Sequence, residues 1–415
     1  MGIFQSSCGT GDNDWNERIA KVAELRIIND KIDFRGKNVL VRIDADVIID
    51  KNGNVEPGGE FRLFGSEKTI KFLVKKGARV ILMSHLGRPN GVTESLRMTP
   101  IAKRLSEYLH LPINCLKEIT GPDVKNVVSD MKNGNIVFLE NLRFDDREEK
   151  NDSAFAQELA SMGQIYINES FATAHREHAS VVAITEFLPS YAGYLFAQEV
   201  EVLREVLRNP KRPVLAAISG AKIETKASLL KNLLPQVDYL LTGGGVANMF
   251  IQAKGLRIGS SISEPSMLDF VKELLRDFPN KIFVPTDVKV LREEQDGKKS
   301  IMILNSESVE DSDAIYDIGP QTSEIYANII SLSKTCIWNG PMGKIELPDF
   351  QEGTKKLAKA MLASGVYVVV GGGDTVAALR KMNLLTGFGH VSTGGGAMVA
   401  FLQGEKLPAV DALTY

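Results

Sequence analysis

The sequence predicts an α/β protein with two doubly wound, parallel-sheet (Rossmann-like) domains joined by a helix. A chain of 415 residues is too long for one hydrophobic core. Apolar runs rich in Val and Ile alternate with amphipathic stretches, which is typical of βαβ units. The helical pattern Ala197–Leu207 lies near the middle, where a connecting helix is expected. We therefore divide the chain into an N-terminal extension (1–30), a first domain (31–195), a connecting helix (196–208), a second domain (209–392) and a C-terminal segment (393–415) that returns toward the first domain.

The predicted strands are short Val- and Ile-rich runs bounded by polar residues or glycine. In order they are Asn38–Ile43, Arg79–Met83, Ile136–Leu139, Ile165–Ile167, Val214–Ile218, Tyr239–Leu241, Lys281–Val284, Thr335–Trp338, Tyr367–Val370 and His390–Ser392. The predicted helices between them show apolar residues at a spacing of three to four. They are Glu67–Lys76, Pro100–Leu109, Ser153–Ser161, Lys226–Leu234, Ser266–Asp277, Thr322–Ser331, Phe350–Ala363 and Thr375–Met382.

Composition excludes several classes of protein. The formal net charge of −3 gives no polybasic surface, so we expect no nucleic-acid partner. No apolar run approaches the roughly 18 residues of a membrane-spanning helix, and three widely spaced cysteines exclude a disulfide framework. We expect a cytoplasmic monomer. The start of the chain at Gly2 fits the loose N-myristoylation pattern, whereas its Gly- and Ser-rich polar composition fits a disordered terminus, which we favour.

Cationic residues follow the predicted strands of the first domain. In an open α/β sheet, ligands bind beyond the carboxyl ends of the strands. Arg88, Arg143 and Arg176 each follow such an end, and His85 lies near the first of them. A single one of these arginines is most simply a solvated surface residue, but three at equivalent positions indicate a small, multiply anionic ligand.

Glycine runs follow three predicted strands of the second domain, at Gly243–Gly245, Gly371–Gly373 and Gly394–Gly396. Backbone without side chains can approach a phosphate and donate N–H groups, although a lone run more often serves a tight turn. Asp374 beside the second run is a natural partner for Mg²⁺. Lys222 and Lys226, four residues apart, are predicted on one face of the first helical turns, where they could neutralise a transferring phosphoryl group or simply be exposed.

No GxxxxGK[ST] or complete GxGxxG motif occurs, which excludes a P-loop NTPase and disfavours a Rossmann dehydrogenase. An anion site on one domain and a Mg-nucleotide site on the other together predict phosphoryl transfer across a cleft between the domains.

From about Ile32 to Leu413 the chain resembles the phosphoglycerate kinases. The resemblance rests on five long motifs in the family's order: Met83–Pro89, Leu139–Phe144, Trp338–Gly343, Val370–Thr375 and His390–Ala397. It implies hinge-bending domains and a reversible transfer from 1,3-bisphosphoglycerate to ADP that gives 3-phosphoglycerate and ATP, with Mg²⁺ bound as Mg-ADP or Mg-ATP. That activity is a phosphotransferase reaction with a carboxyl group as acceptor, and it belongs to glycolysis and gluconeogenesis.

The resemblance also implies the roles of individual residues. Residues matching substrate contacts are Asp44, Asp46, Arg62, His85, Arg88, Arg143 and Arg176. Residues matching nucleotide contacts are Gly220, Ala221, Lys222, Lys226, Gly244, Asn339, Gly340, Met342, Ile345, Glu346, Gly371, Gly372, Gly373, Asp374 and Thr375, with Asp374 also matching the metal–nucleotide aspartate. Residues matching the catalytic set are Arg62, Lys222, Lys226, Gly372 and Gly395.

The chain departs from the family pattern at several positions. An expected asparagine is Asp46, Asn168-Glu169-Ser170 replaces Asn-Asp-Ala, Ser219 replaces a glycine, and Ala409 stands where glycine is usual. A second carboxylate near an anionic substrate is unfavourable. The alternative interpretation is therefore a kinase-like paralogue that binds nucleotide, has an impaired substrate site and acts as a regulatory or scaffold protein.

Overall fold

The computed structural model describes residues 24–50, 53–56, 60–294 and 297–415. The chain divides into two compact units. Unit 1 runs to Arg204 and includes Gly404–Tyr415, and unit 2 is Glu205–Gln403. The myristoylation pattern at Gly2 lies outside the described residues. Within the described ranges, no helix combines the length and apolar character needed to cross a membrane.

Unit 1 is built on a six-stranded parallel sheet. Its strands are β1 (Asn38–Arg42), β2 (Arg79–Met83), β3 (Ile113–Cys115), β4 (Ile136–Phe138), β5 (Ile165–Asn168) and β6 (Ser190–Ala192). The spatial order is β3-β4-β2-β1-β5-β6, so that the chain extends the sheet on one side of β1 before returning to the other. The central strands are buried on both faces, which explains their unbroken apolar sequences.

Helices cover the sheet of unit 1. They are α1 (Glu60–Phe64), α2 (Glu67–Lys75), α3 (Thr99–Leu109), α4 (Pro122–Ser129), α5 (Ser153–Ala160), α6 (Tyr194–Arg208) and α14 (Pro408–Ala412). Each amphipathic helix buries one stripe: α2, for example, buries Ile70 and Leu73. Helix α5 begins where Asp152 accepts a hydrogen bond from the backbone N–H of Phe155, an N-cap. The boundary between the units falls inside α6.

Unit 2 contains a six-stranded parallel sheet and a smaller antiparallel one. The parallel strands are β7 (Val214–Ile218), β8 (Tyr239–Thr242), β9 (Ile282–Phe283), β13 (Thr335–Asn339), β14 (Tyr367–Gly371) and β15 (His390–Val391), in the order β15-β14-β13-β7-β8-β9. The antiparallel strands are β10 (Asp287–Glu293), β11 (Lys299–Asn305) and β12 (Asp313–Ile318), with β10 in the centre.

The helices of unit 2 mostly follow strand ends. They are α7 (Ala227–Leu233), α8 (Gly244–Ala253), α9 (Leu268–Asp277), α10 (Pro320–Leu332), α11 (Glu352–Ser364), α12 (Gly373–Lys381) and α13 (Gly395–Leu402). Three of them, α8, α12 and α13, begin within the three glycine runs, so each run forms a strand-to-helix turn.

The predicted α/β class with doubly wound parallel sheets is confirmed, and the ten predicted strands match observed ones to within one or two residues. The antiparallel sheet β10–β12 was not predicted. Neither were β3 and β6, the short edge strands of unit 1. The prediction that Lys222 and Lys226 lie within the first turns of a helix was wrong. Lys226 ends a 3₁₀ turn, and α7 begins after it.

The two ends of the described chain meet in unit 1. Leu25 bridges Thr414 and Ile27 bridges Ala192. The backbone N–H of Arg26 donates to Leu413 O (2.8 Å), and its Nη2 donates to Ala412 O (2.8 Å). Residues 24–27, which belong to the predicted extension, therefore pair with both the edge strand β6 and the C-terminal residues.

Removing residues 1–27 should destabilise unit 1 relative to removing residues 1–23 alone. The longer deletion breaks the Arg26 hydrogen bonds to Ala412 and Leu413 and the bond from Ala192 N–H to Arg26 O. We expect a loss of about 2–3 kcal/mol in the free energy of unfolding, since each hydrogen bond contributes about 1 kcal/mol. Urea unfolding of the two truncated proteins measures the difference, and equal midpoints would contradict the structural role of residues 24–27.

Candidate active site

Both parallel sheets place polar groups at the carboxyl ends of their central strands. In unit 1 the strand order reverses between β1 and β5, and in unit 2 between β7 and β13. Such reversal points leave a crevice beyond the strand ends, because the loops on either side run in opposite directions. The residues that the sequence analysis singled out follow these strands, so each unit offers one candidate site.

Two carboxylates follow β1 in unit 1. Asp44 is buried, and its Oδ1 accepts the backbone N–H of Asp46 (3.2 Å). Burial raises the pKa of Asp44, and the nearby positive charge of Arg62 opposes that rise. Asp46 accepts the backbone N–H of Gly87 at Oδ1 (2.9 Å), and its Oδ2 lies 3.9 Å from His85 Nε2. The side chain of Asp46 is 41% exposed, so this carboxylate faces the open side of the loop.

Cationic and imidazole groups gather around the same loop. His85 is buried after β2, and its pKa is held well below the usual range by burial and by the charges of Arg42, Arg143 and Arg176. Arg143 donates to Gly87 O (2.7 Å). Burial also lowers the pKa of Arg143, and the charge of Arg176 lowers it further. The structure thus places His85 near three guanidinium groups, whose positive charges disfavour protonation of the imidazole.

The remaining predicted substrate residues of unit 1 are less constrained. Arg62, on α1, is half-buried and lies close enough to Asp44 to influence its pKa. Arg88 is exposed, and its side chain has no hydrogen bond or ion pair to any residue in the described ranges. Beside Arg176, His178 has its pKa lowered to about 3, by burial first and then by neighbouring arginines.

Glu169, which replaces the family's aspartate, caps the long helix α6. It is fully buried after β5, and Oε2 accepts the backbone N–H of Phe196 (2.9 Å). The longer side chain is accommodated because residue 193 is glycine: a Cβ there would lie 2.2 Å from Glu169 Cδ. Burial raises the pKa of Glu169 to about 7, against the hydrogen bonds from Thr69 and the first backbone N–H groups of α6.

The site of unit 2 is organised by the amide of Asn339. Lys226 Nζ donates to Asn339 Oδ1 (2.6 Å), and Asn339 Nδ2 donates to Gly371 O (2.9 Å). The amide is therefore fixed in one orientation, with its oxygen on the lysine and its nitrogen on β14. Burial lowers the pKa of Lys226, and the charge of Asp374 opposes that change.

Neighbouring atoms lie too close for a side chain at two of the glycines. Gly340 has φ +98°, and a Cβ there would lie 2.1 Å from Ser219 O. Gly372 has φ +105°, and a Cβ there would lie 2.8 Å from Asn339 Nδ2. Both dihedral angles are in a region that L-residues rarely adopt. Thr375 completes the turn, because its Oγ1 accepts the backbone N–H of Gly340 (2.8 Å).

Asp374 lies in the first turn of α12 and is exposed, as is Lys222 before the 3₁₀ turn. Gly395 starts α13 close to α12: a Cβ there would lie 2.9 Å from Gly372 Cα. The N-termini of α12 and α13 thus meet near Asn339, which holds Lys226, an arrangement suited to phosphate oxygens.

The other residues expected to contact the nucleotide lie in the loops around the start of α8 and after β13. Gly244 N–H donates to Met342 O (2.9 Å), and Val246 N–H donates to Gly220 O (3.2 Å), which joins the start of α8 to both loops. Met342 is fully buried, so its side chain supports the loop from within. Ala221 and Glu346 are exposed, and Ile345 is half-buried.

Among the described residues, no group of three or more His, Cys, Asp or Glu side chains is placed to bind a metal. The single exposed carboxylate of Asp374 suits a metal that arrives already bound to nucleotide phosphates, which supply most of its oxygen ligands.

Three functional neighbours escaped the sequence analysis: Arg42, Glu148 and Ser180. All three are fully buried behind the loop that carries His85. An arginine at the end of an apolar strand gives no sequence signal of its burial, and the two other residues lie far away in the chain.

A family model described as phosphoglycerate kinase matches residues 29–405. The chain belongs to the phosphoglycerate kinase family. It is 42% identical over 386 residues to a phosphoglycerate kinase of Dictyoglomus turgidum, covering 92% of this chain and 96% of that protein. It is 41% identical over 388 residues to a phosphoglycerate kinase of Moorella thermoacetica, covering 92% of this chain and 98% of that protein.

Solved structures agree with this family assignment. The phosphoglycerate kinase from Coxiella burnetii superposes with a TM-score of 0.82 at 35% identity, covering 94% of this chain and 99% of that one. The phosphoglycerate kinase from Pyrococcus horikoshii superposes with a TM-score of 0.81 at 31% identity, covering 93% of this chain and 98% of that one. The chain is thus a phosphotransferase with a carboxyl acceptor and a nucleotide substrate, and the alternative of a non-catalytic scaffold protein is not favoured.

Replacing Glu169 with glutamine should flatten the pH dependence of stability. The pKa of Glu169 is about 7 in the folded protein and 4.5 for an ordinary glutamate. Between pH 4.5 and 7, the folded protein therefore keeps a proton on Glu169 that the unfolded protein has lost. Stability from this group therefore falls as pH rises through that window, by about 3 kcal/mol in total. Urea unfolding at pH 5 and pH 8 should show a smaller difference for Glu169→Gln than for the wild type. Glu186→Gln, at an exposed glutamate, is the control, and equal differences in all three proteins would refute this role.

Proposed function

We propose that unit 1 binds 3-phosphoglycerate or 1,3-bisphosphoglycerate and that unit 2 binds Mg-ADP or Mg-ATP, so that the two sites supply the partners of the family's phosphoryl transfer. One observation carries the substrate assignment. Beyond the effect of burial, the charges of Arg143 and Arg176 lower the pKa values of His85 and His178, and the charge of Arg176 lowers the pKa of Arg143. Like charges gathered in this way repel, and a multiply anionic ligand relieves the repulsion.

The substrate is proposed to lie against residues 43–50, which follow β1, and the ends of β2, β4 and β5. Arg143 offers a planar fork of donors that suits a phosphate or carboxylate, and Arg62, Arg88 and Arg176 add positive charge. His85 contributes a hydrogen bond, since its low pKa keeps it neutral. Asp44 acts indirectly, because it is buried and holds the loop that carries Asp46.

In unit 2, the phosphates of the nucleotide are proposed to lie at the turns of Gly371–Gly373 and Gly394–Gly396. Backbone N–H groups at the starts of α12 and α13 donate to phosphate oxygens there. Lys222 and Lys226 neutralise charge on the transferring group. The attacking oxygen is already an anion, so no general base is needed, and positioning and charge neutralisation carry the rate.

The magnesium ion is proposed to enter as part of the nucleotide substrate and to contact Asp374. This carboxylate lies at the start of α12, and against the larger lowering by burial its charge raises the pKa of Lys226, whose Nζ donates to Asn339. A carboxylate plus phosphate oxygens is the coordination that Mg²⁺ prefers.

We further propose a cytoplasmic monomer. The two cysteines in the described ranges, Cys115 and Cys336, are free thiols, which fits a reducing compartment. Each candidate site is built from strand ends of this chain alone, so neither requires a residue from a second copy.

Asp374→Ala should lower kcat by about 100-fold or more, the usual effect of removing one electrostatic contact to the transition state. The affinity for Mg-ADP should fall as well, while the melting temperature stays close to that of the wild type because Asp374 is exposed. Calorimetric titration with Mg-ADP and a coupled assay measure the two effects. Asp349→Ala, an exposed aspartate of the same unit, is the control. Unchanged affinity and turnover in Asp374→Ala would remove this residue from the site.

Asp46→Asn should lower KM for 3-phosphoglycerate several-fold and leave KM for ATP unchanged. The carboxylate opposes an anionic substrate, and its exposure screens the effect well below the roughly 4 kcal/mol of an unscreened pair at 4 Å. The fold should persist, because an amide oxygen can still accept the N–H of Gly87. Steady-state kinetics on both substrates, with a thermal melt, test this. If KM for 3-phosphoglycerate stays the same, Asp46 lies outside the substrate site.

A further inference from the structure

A chain of buried polar groups lies directly behind His85, and the phosphoryl transfer proposed above does not use it. It begins at Arg42, the last residue of β1, whose side chain is fully buried. The guanidinium donates from Nε to Ser180 Oγ (3.0 Å). From Nη1 it donates to Ile43 O (2.5 Å) and Ser84 Oγ (3.2 Å). Its third nitrogen, Nη2, lies 2.8 Å from His85 Nδ1.

The charge of Arg42 is compensated by Glu148, which is also fully buried. Ser180 joins the two groups: its Oγ donates to Glu148 Oε1 (2.6 Å), and its backbone N–H donates to Oε2 (2.9 Å). The same hydroxyl oxygen accepts from Arg42. Because an unpaired buried charge is strongly unfavourable, neither partner can leave its position without the other. The guanidinium is therefore held in one place against the imidazole.

The contact between Arg42 and His85 has only one possible direction. A guanidinium carries donors and no acceptor, so Nδ1 of the imidazole must accept and cannot carry a proton. The proton of a neutral His85 is then on Nε2. That atom lies on the side of Asp46, 3.9 Å from its Oδ2. The charged and titratable groups that face His85 are Arg42, Arg143, Arg176, His178 and Asp46.

We propose that Arg42 and Glu148, joined by Ser180, are positioning residues that hold His85 as the neutral Nε2–H tautomer, so that His85 gives the substrate one directed hydrogen bond and no charge. The inference rests on the proposed function for the identity of the substrate. The geometry of the tautomer does not depend on that identity. The carboxylate of Asp46, 3.9 Å from Nε2, is too far away to accept this N–H, so the donor is available to the substrate.

The tautomer can be measured directly in the full-length protein. Long-range ¹H–¹⁵N spectra of ¹⁵N-histidine-labelled enzyme distinguish the two neutral tautomers from imidazolium, and the spectrum of His85→Gln assigns the signal. We expect His85 to be the Nε2–H form at pH 7 and to remain so on lowering the pH to 5.5. A proton on Nδ1 at pH 7, in either the neutral or the charged ring, would overturn the proposal whether or not the enzyme turns over 3-phosphoglycerate.

A double variant tests the role of the buried pair. Arg42→Met with Glu148→Met replaces both charges by apolar side chains of similar length, which proteins often tolerate. We expect Nδ1-protonated His85 to appear in its spectrum and KM for 3-phosphoglycerate to rise about tenfold, the loss of one directed hydrogen bond to a charged group. The KM for ATP should stay unchanged. A well-folded variant with the wild-type tautomer would overturn the role of the pair.

A second pair of variants keeps the proposal testable if the double variant does not fold. In His85→Gln the amide nitrogen can stand near the position of Nε2, whereas in His85→Asn it stands near Nδ1. We expect His85→Gln to retain a lower KM for 3-phosphoglycerate than His85→Asn by about tenfold, with similar KM values for ATP. Equal or reversed KM values for 3-phosphoglycerate would contradict the need for a donor at Nε2. Absence of turnover in the wild type would instead count against the proposed function alone.

Discussion

Strands buried on both faces confine charge to their ends, and both units depend on this constraint. β7 and β13 are buried at every residue, and β1 and β2 at all but the first. Such strands must be apolar along their length, because a polar side chain on either face would lose its hydration without a partner. The strand order then decides which polar ends meet. It brings the loops after β1 and β5 together in one unit, and those after β7 and β13 in the other.

The two candidate sites are built with different chemistry. Unit 1 uses side-chain charge. Arg42 is matched by Glu148 through Ser180, whereas Arg143 pairs with Glu149 (2.8 Å) and also lies near the positive charge of Arg176. Unit 2 relies more on backbone. Close approach to Ser219 O leaves no room for a side chain at Gly340, and α12 and α13 both begin at glycine. Lys226 donates to the amide oxygen of Asn339. Because this partner carries no charge, the positive charge of the lysine is not neutralised by it.

The sequence was sufficient where local pattern and long-range packing agree. Parallel core strands such as β2 and β7 were predicted to the residue, because unbroken apolar runs have few other uses. The sequence was insufficient where the local pattern is weak or differs from the structure that packing produces. β11 alternates exposed and half-buried residues over Lys299–Asn305, a weaker signal than a buried run. Predicting the lysine pair on a helix was wrong because the turn at Glu224–Lys226 is tighter than an α-helix.

In the candidate site, sequence reasoning found the residues that end strands and missed those that reach them through space. Arg42 and Glu148 are 106 positions apart in the chain. Only folding allows both side chains to form hydrogen bonds with Ser180. Asp46 was recognised as unusual from the sequence, but its contacts with Gly87 and His85 were not foreseeable. They depend on how the loops after two different strands pack together.

The pairing of both chain ends in unit 1 makes unit 2 an insertion within it. Residues 205–403 leave unit 1 and return, and the last twelve residues, 404–415, belong to unit 1 again. Ala409 N–H donates to Ala174 O, and Val410 and Leu413 are buried there. During synthesis, the ribosome therefore releases all of unit 2 before it releases the segment that completes unit 1. The unit made first is completed last, and until residues 404–415 emerge it lacks the segment that contributes Val410 and Leu413 to its core.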